Sequence, residues 1–66
     1  STPAARADLL SRRAYTLSVA GKLDLARKFA EEALSLARDA NEAVAEVRAA
    51  RVIGIVLARS GREREA

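Results

Sequence analysis

Residues 14 to 33 read Ala14-Tyr-Thr-Leu17-Ser-Val-Ala-Gly21-Lys-Leu23-Asp-Leu-Ala26-Arg-Lys-Phe29-Ala-Glu-Glu-Ala33, two apolar-spaced segments hinged on one glycine. Gly21 can take the left-handed backbone that ends a helix, and Asp24 can cap the next one. A connection this short makes the flanking helices antiparallel neighbours. The same environment begins again forty residues later, where Gly61 answers to Gly21, Gly54 to Ala14, Leu57 to Leu17 and Ala66 to Ala26. A period of this size marks stacked supersecondary units, none of which can bury its apolar face alone.

Upstream of this stretch, Thr2-Pro3 is a helix start, because the hydroxyl caps free amides and proline fits a first turn in which its missing N–H costs nothing. Ala7, Leu10, Ala14 and Leu17 then share one helical stripe, with Arg6, Ser11 and Arg13 facing elsewhere. Downstream, Ala26, Phe29, Ala30, Ala33 and Ala37 lie on one face of a second helix, and Arg27, Lys28, Glu31, Glu32, Ser35 and Arg38 lie on the other. Asn41 marks the next break and is the expected cap of a third helix. Within that segment the run Arg51-Val-Ile-Gly-Ile-Val-Leu-Ala58 is β-branched and, taken alone, reads as a strand. The forty-residue register decides for helix, since Gly54 and Leu57 stand where Ala14 and Leu17 stand. The expected architecture is all-α, a single domain over 1–66: an antiparallel hairpin plus a third helix, with helices at about 3–20, 24–39 and 42–60. Residues 61–66 are expected to form a turn and the start of a cut-off fourth helix.

Composition narrows the chemistry. The chain has 66 residues, half of them apolar, with Tyr15 and Phe29 the only aromatics. It has no Cys and no His, so a disulfide framework has no residues and a metal or cofactor has no obvious ligands. No phosphate-cradling glycine loop and no carboxylate cluster supports catalysis, and the serines and threonines have no base to activate them; the chain does not read as an enzyme. The net charge of +3 favours acidic partners in general. Arg6, Arg12 and Arg13 lack flanking aromatics for stacking bases, which disfavours nucleic acid. The longest apolar run, Val52 to Ala58, falls far short of the roughly 20 residues that cross a bilayer, so no membrane role is expected. Nothing resembles a secretory leader, and the expected location is cytoplasmic.

The small residue Ala14, the large Leu17, and Gly21, Leu23, Ala26, Phe29 and Ala33 together resemble a tetratricopeptide repeat. The period matches the longer variety rather than the usual one of about thirty-four residues, and Ala33-Leu-Ser-Leu-Ala-Arg-Asp-Ala40 resembles its extended second helix. The resemblance covers one full repeat and the opening of another, the piece of an α-solenoid. It implies helix pairs that stack into a superhelix and bind protein or peptide in a concave groove lined by the first helix of each repeat. Carried over, that groove takes Ser11, Tyr15, Ser18 and Val19 from one helix and Arg48, Arg51, Ile55 and Arg59 from another. Arg48, Arg51 and Arg59 fall at helical spacing and suit acidic side chains or a terminal carboxylate.

A chain this short buries only about 60% of the surface its unfolded form exposes. The third helix, with Val52, Ile53, Ile55, Val56 and Leu57, is apolar nearly all round and needs cover on more than one side. The functional expectation is a protein-interaction or scaffold module acting through repeat stacking, self-associating as a homodimer through those five residues. A groove for acidic peptides is the alternative. The start at Ser1 and the interrupted second copy read as an excised or engineered piece of a repeat.

Overall fold

The computed structural model describes residues 1–65. Ala66, the register counterpart of Ala26, lies outside the described residues. The fold is all-α: α1 (Pro3–Val19), α2 (Leu23–Asp39) and α3 (Ala43–Glu65), joined by three-residue turns. The β-branched run of α3 is helical, as the register requires. The three helices pack pairwise into a body of 39 × 16 × 13 Å.

Local chemistry explains the boundaries. Thr2 caps α1, its Oγ1 accepting the Ala5 N–H at 3.1 Å, and Pro3 follows in the first turn. The two turns are built alike, twenty residues apart. In the first, the Gly21 N–H donates to the Ser18 carbonyl and the Lys22 N–H to the Leu17 carbonyl; in the second, Asn41 donates to Arg38 and Glu42 to Ala37. This paired closure requires left-handed backbone at its central residue, supplied by Gly21 at φ 83° and Asn41 at φ 59°. Asn41 therefore ends α2 rather than capping α3, because asparagine is second only to glycine in tolerating that conformation. Asp24 likewise lies inside the first turn of α2, one residue past its start at Leu23, where its charge opposes the helix dipole favourably.

A third such turn, expected at Ser60-Gly61-Arg62, does not form. Helix α3 continues through Gly61 to Glu65 instead of ending at Ser60. Glycine costs about 1 kcal/mol in a helix relative to alanine, a penalty small enough for the helix to run through it. Arg62 and Arg64 in the last turn further suit the negative end of the dipole.

The interior is made of alanine. Ala26, Ala30, Ala33 and Ala37 of α2 are fully buried, as its amphipathic division predicts, together with Ala7 and Ala14 of α1. From α3 come Ala45, Ala49 and Val56. Methyl-sized side chains let helix axes approach to about 8 Å, the short end of the usual range. Each contact then contributes little area, so the fit must be close. Phe29 is only partly buried, at the outer α1–α2 seam beside Leu9, Leu17 and Leu25. Ser11 and Ser18, one of them read as outward-facing, are both buried on α1 because α3 covers the side of α1 that the apolar stripe leaves out. The Ser18 hydroxyl donates to the Tyr15 carbonyl at 2.7 Å.

Candidate functional site

Among the described residues, three ion pairs shape the surface. Arg27 and Glu31 pair along α2 at 3.4 Å. Arg38 and Glu46 tie the end of α2 to the start of α3 at 3.2 Å, and Arg48 reaches Asp8 of α1 at 2.9 Å. Those last two hold α3 against the hairpin; being largely exposed, each is worth no more than about 1 kcal/mol.

The expected groove divides in two. Ser11, Tyr15, Arg48, Arg51 and Ile55 do share a cleft of about 740 Å³ between α1 and α3, which Asp8, Arg12, Thr16 and Val52 complete. Ser18, Val19 and Arg59 lie further along, in a smaller cleft with Gly21, Leu23, Arg62 and Glu63. The three arginines expected to grip one acidic ligand are therefore not a single comb, since Arg59 lines the second cleft and Arg48 is engaged by Asp8. Asp8 is the residue that sequence reasoning missed. Its signal was present: Asp8 and Arg48 are opposite charges forty residues apart, the period itself. Inside the larger cleft one Asp8 oxygen and the Ser11 hydroxyl are buried without a hydrogen-bond partner, Ser11 being only 5% exposed.

The apolar run of α3 is largely used within the chain. Val56 is fully buried, Val52, Ile53 and Ile55 are partly buried, and of the five residues expected to self-associate only Leu57 is exposed. The reason is angular: residues 45, 49, 52, 53 and 56 turn towards α1 and α2, as the burial of Ala45, Ala49 and Val56 records. The uncovered side of α3 lies opposite. It carries Val44, Val47 and Leu57 at 64%, 69% and 43% exposure, with the small residues Ala50, Gly54 and Ala58 between them and Arg51 along one edge.

Register counterparts on α1 and α3 have opposite surroundings. The buried residues of α1 are Ala7, Ser11, Ala14 and Ser18; forty residues on, Val47, Arg51, Gly54 and Ala58 are all exposed. The buried residues of α3 are Ala45, Ala49 and Val56; forty residues back, Ala5, Leu9 and Thr16 are all exposed. Each helix is covered on the side facing the rest of the described chain and open on the far side.

Comparison of the chain with family models, with curated proteins and with solved structures gave no match. Among the described residues, no helix is long and apolar enough to cross a membrane.

Proposed function

We propose that the chain is a protein-interaction module of helical-repeat type, tetratricopeptide-like in plan, that acts by offering the uncovered side of α3 to helices of another molecule. The observation that carries this reading is the inverted burial of register counterparts. The side of α1 that α2 and α3 cover has its equivalent on α3, and there it is open. Stacked units of this kind bury a continuous core only when the next unit arrives. Leaving Val44, Val47 and Leu57 in water forgoes burial worth about 1.5 to 3 kcal/mol for each large aliphatic side chain.

The test uses the helix that covers α1. A labelled peptide with the α2 sequence, residues 23–39, is titrated with the chain and followed by fluorescence anisotropy. Binding is expected, lost in Val47→Glu/Leu57→Glu and retained in Ala5→Glu, a substitution on the exposed side of α1. Binding that ignores the α3 substitutions, or no binding, contradicts the reading. Self-association is the second reading, favoured by the same three exposed aliphatics. It predicts a concentration-dependent dimer in sedimentation equilibrium that Leu57→Glu converts to monomer.

A further inference from the structure

We infer that the occupant of the uncovered α3 side is an amphipathic helix of another protein, small-residued on its apolar face and acidic along one edge. This rests on the reading of that side as a docking surface and specifies what docks.

The small-residue requirement follows from what covers the equivalent side of α1. There α2 presents Ala26, Ala30, Ala33 and Ala37, every one fully buried. Around Gly54 nothing lies within 4 Å of an added Cβ, and Ala50 and Ala58 flank it one turn away, so a helix backbone can approach closely.

Charge gives the edge its sign. At about 100° per residue, Arg51 and Arg62 fall within about 20° of one another along a single border of the open side, beside Arg48, which Asp8 holds. The opposite border is apolar at Ala50 and Leu57. The arginine border faces the α1–α3 cleft, where Arg12, Arg48 and Arg51 line the walls against one carboxylate, that of Asp8. A helix seated on Val47 and Gly54 runs its edge along this row, and carboxylates there meet guanidinium groups in paired geometry.

A second copy of the chain fits poorly. In a two-fold pairing of antiparallel α3 helices each border meets its own equivalent, so arginine faces arginine. Stacking the far side of α1 onto α3 brings Arg12 and Arg13 to the same place. The alanine face of α2 is already buried in its own molecule.

The experiment compares two synthetic helical peptides that keep alanine at the four α2 face positions. One carries Glu along the edge facing the arginine row, and the other carries Lys. The acidic peptide is expected to bind about tenfold more tightly at low salt and to lose that advantage at high salt. Arg51→Glu/Arg62→Glu should reverse the preference, and Leu57→Glu should abolish binding of both, with helicity by circular dichroism unchanged. Equal binding of the two peptides overturns the acidic edge and leaves the docking surface standing. A dimer in sedimentation equilibrium that excludes both peptides and is broken by Leu57→Glu overturns it in favour of a second copy. A monomer that binds neither peptide overturns the docking surface itself.

Discussion

Helices α1 and α3 occupy equivalent register positions and live in opposite surroundings. Ala14 is sealed under α2 and α3, while Gly54, its counterpart, faces open space; Val56 is sealed under the hairpin, while Thr16 faces water. The sequences follow the surroundings. Arg12, Arg13 and Thr16 on the open side of α1 become Val52, Ile53 and Val56 on the covered side of α3. On the side that is covered in α1, however, α3 keeps interface-like residues, Val47, Gly54, Leu57 and Ala58, although nothing among the described residues covers them.

Substitutions made in register pairs break or sharpen this contrast. The largest effect is expected at Ala14→Leu, which forces bulk into a closed helix crossing and should cost about 3 kcal/mol or abolish folding. Its counterpart Gly54→Ala should instead raise stability by about 1 kcal/mol, because the helix gains a better former and the new methyl meets nothing. Urea unfolding followed by circular dichroism reads both, and equal costs would mean the two crossings are not different in kind. Next, Val56→Ala should cost about 2 kcal/mol as a buried cavity, and Thr16→Ala less than about 0.5 kcal/mol. Effects smaller than the Val56→Ala loss separate the two turns: Gly21→Ala should lose about 1 kcal/mol at φ 83°, and Asn41→Gly should gain a few tenths at φ 59°. Thermal midpoints are sufficient to order them.

Much of this was legible in the residues. The division of α2 follows from alanine spacing, and the β-branched run of α3 read correctly as helix only because the register overrode its local preference. Ser11 and Ser18 were illegible as interior positions, since a serine carries no apolar signal and its burial depends on which neighbour arrives from outside the hairpin. Gly61 misled as well. A glycine permits the left-handed turn that ends a helix but does not compel it, and α3 runs through Gly61. The apolar run divides by burial: Val56 is buried and Val52, Ile53 and Ile55 are partly buried on the inner side, while Val44, Val47 and Leu57 are exposed. The residues of the candidate groove fall in two clefts rather than one, and Asp8 takes Arg48 at the wall of the larger cleft.

The most direct measurement is residue-resolved NMR of the chain during titration with the acidic alanine-faced peptide. Amide shifts should concentrate at Val44, Val47, Ala50, Gly54, Leu57 and Ala58, with their register counterparts on α1 unmoved. Shifts confined to Ser11, Tyr15 and Ile55 in the α1–α3 cleft, or to Ala5 and Leu9 on the far side of α1, would contradict the assignment of the uncovered α3 side as the surface through which this protein acts.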